Sequence, residues 1–296
     1  MIAGFLQQAI NGLSLGSTYA LLALGLAIVF SILHLVNFAH GEILTVSAYA
    51  MLGVRNLGLP WIASIVLGVA VAVLTAVAME RVAFRPVRHA SPTTMLLTSF
   101  GVSIMIQAVL VIFISPRPKA VPQPDWLATA VTVGGLRLQS VQLLTLGATA
   151  AALGVLVVVM RRSLMGLAMR GASEDFDAVR LMSIRANRVI MSAFAMSGFL
   201  AGIAAVLLLA RSGSVTPTMG LLPVLMAFVA NVIGGIGNLT GAVVGGFVLG
   251  FVEVMLRAWL PVGVNGFTTG FLFLFVAVLL LLRPEGLFGA RTATRV

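Results

Sequence analysis

The sequence predicts an all-α, polytopic membrane protein, and three observations carry that prediction. Of the 296 residues, 60% are hydrophobic and only 9% charged, with a mean hydropathy of +1.14, far from the balance of a water-soluble domain. Runs of roughly 18 or more mostly apolar residues recur along the whole chain, and about 20 residues at ~1.5 Å rise cross a hydrocarbon core. Short segments of alternating polarity, the mark of a transmembrane barrel, are absent, and lipid leaves only helices or closed barrels as ways to satisfy the backbone.

Hydropathy places helices near 5–33, 42–57, 61–84, 93–115, 139–161, 188–210, 219–236, 239–260 and 264–283, a bundle of eight or nine spans in one transmembrane domain over 1–296. Between them lie "RVAFRPVRHASP", the long "SPRPKAVPQPDWLATAVTVGGLRLQ", the basic "RRSLMGLAMRGASEDFDAVRLMSIRANR" and the tail "RPEGLFGARTATRV". The first, third and last carry Arg81, Arg85, Arg88, Arg161, Arg162, Arg170, Arg180, Arg185, Arg188, Arg283, Arg291 and Arg295, which predicts that their side is cytoplasmic. The connection near 116–138 then faces outward. Its prolines, Pro116, Pro118, Pro122 and Pro124, exclude a through-running helix and predict a loop or external cap. Glycines four apart, Gly12/Gly16, Gly198/Gly202 and Gly241/Gly245 with Gly246/Gly250, predict faces where helices approach closely.

A net charge of +10 raises the possibility of nucleic acid, but the arginines sit in short inter-helix loops with almost no aromatic partners, which is the pattern of membrane orientation. Cysteine is absent, so disulfides and thiolate metal sites are excluded, and the three histidines lack helical pairing for a metal centre. The first arginine is Arg55, so no basic region precedes the first apolar run and no cleaved leader is expected. The only lysine, Lys119, lies in "PRPKAVP", which excludes a phosphate-binding P-loop. "GGIGNLTG" joins two membrane helices and follows no strand, so it is no dinucleotide fingerprint; HExxH and GxSxG are absent.

What chemistry the chain has is a polar strip inside apolar segments: Ser14, Ser17, Thr18, Asn37, His40, Glu42, Asn231 and Glu253. Ionisable groups there are costly unless they face protein or water, which makes them candidates for a passage. Two readings of "NFAHGE" stand side by side. Asn37, His40 and Glu42 line a water-accessible pathway or gate, or Asn37 and Glu42 cap helix ends. Glu80 beside Arg81 predicts a local ion pair, and Glu253 with Arg257 an intrahelical one. In "GASEDFDAVRLMSIRANR", Ser173 is expected to cap a short helix with Glu174, Asp175 and Asp177 in its first turn and Phe176, Val179 and Met182 as an apolar stripe. That stripe rests on the membrane interface or docks on a soluble partner.

"NGLSLGSTYALLALGL", "VNFAHGEI", "ERVAFRPVR", "SEDFDAVRLMSIRANRV", "NVIGGIGNLTGAVVGGFVLGFVE" and "RPEGLFG", in that order and across almost the whole chain, resemble the motifs of the permease subunits of bacterial branched-chain amino acid ABC transporters, the first of their two related permeases. The resemblance implies an inner-membrane importer subunit that is no enzyme and binds no cofactor. ATP and Mg are then handled by separate cytosolic ATPase subunits, beside a second related permease and a periplasmic or extracellular solute-binding protein. It also implies an ATPase-coupling element at about 162–188, carried by Gly166, Arg170, Ala172, Glu174, Asp175, Ala178, Leu181, Ile184 and Arg188, to which the stripe adds Phe176. Departures fall at Leu167, where the family commonly has Arg, at Gly171 for Ala, and at Ser183 for Gly. A translocation pathway along Ser17, Thr18, Asn37, His40, Glu42 and Asn231 is the matching expectation. Urea or short-chain amides are alternative cargo. An ion-coupled secondary transporter, with Glu42 and Glu253 as coupling groups, and a scaffolding subunit are the other classes the residues leave open.

Overall fold

The first helix is the axis of the molecule. The computed structural model describes residues 2–133, 135–174 and 185–289, and in it α1 (Ile2–Leu33) is buried from Tyr19 to Val29 without interruption. Around it run α2 (His40–Asn56), α3 (Trp61–Met79), α4 (Pro92–Phe113), α5 (Ser140–Arg162), α6 (Leu164–Glu174), α7 (Ala186–Ser212), α8 (Leu221–Gly234), α9 (Leu239–Trp259) and α10 (Thr268–Leu282). α3 continues through a π-helical turn, Glu80–Phe84, to Val87. Among the described residues seven helices, α1, α3 with its continuation to Val87, α4, α5, α7, α9 and α10 taken with the turn before it (Gly263–Leu282), are long and apolar enough to cross a membrane.

The remaining two expected segments are helices as well, but α2 has 17 residues and α8 only 14. α2 starts inside the protein, and α8 follows the buried Gly220, although its first residues, Leu221 and Leu222, are exposed. α1 ends at His34, whose φ of 51° is the left-handed conformation that closes helices, and residues 35–39 lead back into the interior before α2 begins. On the opposite side α7 closes at Gly213 (φ 64°), and the chain passes β4 (Ser214–Val215) and a turn before α8 begins. The two inner ends meet backbone to backbone: a Cβ on Gly220 would fall on the Gly41 carbonyl, and one on Gly41 would fall on that of Gly220. Glycine is required at both positions by this approach.

The glycine faces read from the sequence pack as expected. Gly12, Gly16, Gly246 and Gly250 bring α1 and α9 together, with Gly12 against Phe251 and Gly246 against Ala20, while Gly198 and Gly202 of α7 lie on Ala72 and Val69 of α3. Among its described residues the segment expected as a loop or cap contains no α-helix. β1 (Lys119–Ala120) pairs with β4, and β2 (Ala130–Val133) pairs antiparallel with β3 (Leu136–Gln139). It is tied to helix ends by Arg55 Nε donating to the Pro122 carbonyl (3.1 Å) and Gln123 Nε2 donating to that of Leu209 (2.6 Å).

This arrangement puts Asp125 and Ser173 at opposite ends of α5, both exposed. The natural chain has no cysteine, so Asp125→Cys and Ser173→Cys can be labelled singly in sealed vesicles. A membrane-impermeant thiol reagent is expected to reach one and not the other; labelling of both from one side would contradict the topology.

Candidate functional site

The interior at the start of α2, near its contact with the α8 end, holds Asn37, His40 and Glu42 of the polar groups expected from the sequence. His40 and Glu42 are fully buried and Asn37 nearly so, although the helix they open lies among apolar neighbours. His40 Nδ1 is 3.1 Å from Ser197 Oγ of α7, its ring lies against Gly25 of α1, and Nε2 has no partner. Gly25 is 8 residues from the end of α1, so the ring sits about 12 Å inside that end. The Glu42 carboxylate faces α4, where Oε1 accepts from Ser103 Oγ (2.9 Å) and Gln107 Nε2 (2.7 Å) while Oε2 is unpaired. Thr45 joins the two half-helix ends: its hydroxyl donates to the Gly41 carbonyl (3.1 Å) and accepts from the Gly220 N–H (3.1 Å).

The capping alternative for "NFAHGE" is not what is observed. The residue before α2 is Ala39, which makes no side-chain cap, Asn37 Oδ1 has no partner, and Glu42 binds side chains of another helix. Of the other expected pathway residues, Asn231 Nδ2 ties α8 to the Ala23 carbonyl of α1 (2.8 Å), with its Oδ1 unpaired. Ser17 returns its hydroxyl to the Leu13 carbonyl (2.8 Å), and Thr18 is buried with an unpaired hydroxyl. Asn37, His40 and Glu42 therefore gather at the start of α2, whereas Asn231 lies near the far end of α8, which runs Leu221–Gly234, and Ser17 and Thr18 lie farther up α1. The sequence reading missed Thr45, Ser103, Gln107 and Ser197. The spacing of Ser103 and Gln107, four apart in an apolar run, was the available signal.

Two ion-pair expectations divide. Glu253 Oε1 binds Arg257 at 2.5 Å, and Oε2 accepts from Tyr19 OH of α1 at 2.8 Å. Glu80 does not pair with Arg81: its Oε1 is unpaired, and the Arg81 guanidinium lies near Met191 Sδ. Adjacent residues on a helix diverge by about 100°, so sequence neighbours do not face one another.

Of the expected coupling element, residues 162–174 and 185–188 are described. Helix α6 starts at Leu164, with Ser163 Oγ accepting from the Gly166 N–H (2.9 Å), so Ser163 and not Ser173 is the N-terminal cap; Ser173 lies inside the helix and donates to the Arg170 carbonyl (2.7 Å). Gly166 abuts the Val159 and Met160 carbonyls, Ala172 is buried, and the Arg170 guanidinium donates to the Met160 carbonyl. Leu164, Leu167, Arg170 and Glu174 are exposed, as is Arg188 at the start of α7. Asp175, Phe176, Ala178, Leu181 and Ile184, with Asp177, Val179, Arg180 and Met182, lie outside the described residues.

Long apolar helices closing around a polar interior, with broken helices at its centre, define an integral membrane transport protein. Residues 8–282 match the family described as branched-chain amino acid transport system / permease component. The high-affinity branched-chain amino acid permease protein BraD of Pseudomonas aeruginosa is 32% identical over 308 residues, covering 99% of this chain and 98% of its own. The permease protein LivH of Escherichia coli K12 is 32% identical over 304 residues, at 99% and 98% coverage. A metal-chelate type ABC transporter in an inward-facing conformation shares the fold at a TM-score of 0.50 and 15% identity, over 94% of this chain and 85% of that one. The chain belongs to the branched-chain amino acid transport permease family. It is a multi-pass inner-membrane permease and not an enzyme, and membership of an ABC transporter family implies ATPase and solute-binding partners in general.

The Glu42 cluster yields a stability test. Glu42→Ala strands the Ser103 hydroxyl and Gln107 amide and is expected to destabilise the solubilised protein by about 1–3 kcal/mol, while Glu42→Gln, which keeps an accepting oxygen, loses less. Thermal melts of the two variants decide; equal melting of Glu42→Ala and the parent would contradict the network.

Proposed function

We propose that this chain is the transmembrane permease subunit of an ATP-driven importer that carries branched-chain or related amino acids inward, working beside a second related permease and fed by an external solute-binding protein. The observation that carries the cargo class is full-length similarity at 32% identity to permeases named for branched-chain amino acids. The arginine-rich end, with Arg81, Arg85, Arg88, Arg185 and Arg188, faces the cytoplasm, and the 116–138 cap faces outward.

Alternating access needs a part that closes the path in one state and opens it in another. The interlocked ends of α2 and α8 are suited to that role. They are joined by one hydrogen bond, from the Gly220 N–H to the Thr45 hydroxyl, and by a glycine–glycine contact, with unpaired polar atoms of Asn37, His40 and Glu42 on the α2 side to meet a passing polar solute. The force enters at α6. Gly166 and Ala172 seat it against α5, while Leu164, Leu167, Arg170 and Glu174 present an outward face on which an ATPase subunit docks.

Reconstituted with its ATPases, second permease and loaded binding protein, the chain is expected to support ATP-dependent leucine uptake that an uncoupler leaves intact. Uptake by the chain without ATPases, or its collapse with an uncoupler while ATP is maintained, would contradict the proposal. At matched expression, His40→Ala and Glu42→Ala are each expected to impair uptake, and full transport by both removes the pathway role. Combining Leu167→Asp with Glu174→Arg is expected to weaken ATPase co-purification about tenfold. Unchanged co-purification would exclude this face as the dock.

A further inference from the structure

A second polar feature lies away from the re-entrant ends, toward the 116–138 cap. A cavity of about 910 Å³ at the basic end is accounted for by the arginine face, but one of about 680 Å³ under the cap is not. Its walls include Gln8, Asn11 and Ser14 of α1, Gln142 of α5, Arg211 of α7 and Arg257 of α9. Arg257 is neutralised by Glu253, whose two oxygens are both occupied, by Arg257 and by Tyr19. Arg211 has no hydrogen bond or ion pair among the described residues, so the cavity carries one uncompensated positive charge and no free carboxylate. On its wall Ser14, 2% exposed, has a hydroxyl without a partner.

The polar lining continues inward. Gln142 Nε2 donates to Asn11 Oδ1 at 2.6 Å, which sets the register of α1 against α5. The two helices run parallel, each from the cap toward the basic end, so equal steps from this contact reach equal depths. Three residues on, Ser14 and Thr145 share a level; seven on, about 10 Å deeper, Thr18 and Thr149 do. Thr18 and Thr149 are both buried with hydroxyls that have no partner, and Thr145 returns its own to Val141. Unpaired hydroxyls on facing helices, two turns beneath a polar cavity, are groups that a solute or water would satisfy.

We propose that this cavity is an outer subsite of the permease that takes the carboxylate of its amino acid cargo, with Arg211 supplying the charge and Ser14 and the amides of Asn11 and Gln142 the hydrogen bonds. The proposal rests on the reading of the chain as an amino acid permease. A single guanidinium without a competing acid selects for an anionic group, and uncharged amides and hydroxyls around it hold a small polar solute loosely enough to let it pass. A cargo lacking the carboxylate would gain nothing from Arg211.

Ser14→Cys, in the naturally cysteine-free chain within the full assembly, tests this. A negatively charged thiosulfonate is expected to react faster than a positively charged one, by a ratio about tenfold above that at exposed Asp125→Cys. Leucine should slow the reaction and leucinamide should not, and adding Arg211→Gln should abolish both the bias and the protection. The proposal is overturned by equal ratios at the two cysteines, by a Ser14→Cys that reacts with neither reagent, or by leucinamide protecting as well as leucine. It is also overturned if only the solute-free binding protein protects, which would make Arg211 a protein-docking group. The bias and the protection are read without the arginine variant, so a misfolded Arg211→Gln does not blunt the test. Leucine uptake in the same vesicles separates the two readings: uptake without bias sinks the subsite alone, and bias without uptake of any amino acid sinks the transport reading.

Discussion

Hydrocarbon offers a peptide group no hydrogen-bond partner, and this constraint governs the whole molecule. Seven helices obey it by carrying their backbone bonds within themselves. The chain leaves regular helix at residues 35–39, where Leu35, Asn37 and Ala39 are buried, and again at 216–220, where Pro217 and Gly220 are buried and Thr218 is exposed, and in both places backbone groups find partners within the protein. The Phe38 N–H reaches Ser99 Oγ, the Gly220 N–H reaches Thr45 Oγ1, and the Met219 and Leu221 N–H groups turn back to Thr216 and Thr218. α1 is buried because it forms a wall of this enclosure, and α9 lies tight on α1 through glycine for the same reason.

From this follows the placement of the polar groups. A helix that starts inside the protein brings its first-turn side chains with it, so Glu42 and His40 are interior because α2 begins there. Their ties run to two helices, Ser197 on α7 and Ser103 and Gln107 on α4, while Thr45 of the same α2 binds the Gly220 N–H just before α8. A movement of either helix therefore changes the hydrogen bonding of the centre.

Much of this was legible in the sequence, and what was not has physical reasons. Helix positions followed from hydropathy, since length and apolarity are what lipid selects. Spacing alone gave the Glu253–Arg257 pair, because residues four apart share a helix face. The half-helices read as full spans because an apolar segment inside protein and one in lipid have the same composition; only the Gly41–Gly220 contact, between residues 179 positions apart by subtraction of their numbers, distinguishes them. His34 gave no hint of a left-handed turn, which glycine would have signalled. Ser163, which accepts from the Gly166 N–H where Gly166 packs on α5, was not read as a cap because nothing in the local sequence marks a helix start there. Arg211 carries no signal in the sequence, since its place depends on α1, α5, α7 and α9 coming together around one cavity.

The most direct measurement of the central claim, that two broken helices are locked end to end inside the membrane, is the melting temperature of purified Gly220→Ala beside Gly53→Ala. An added methyl at Gly220 meets the Gly41 carbonyl, whereas at Gly53, in the same α2 that Gly220 faces, it meets open space. Gly220→Ala is expected to melt at least about 3 °C below the parent, and Gly53→Ala to melt no lower than it. If Gly220→Ala melts with the parent, the two ends are not in contact and the seal built from them does not exist.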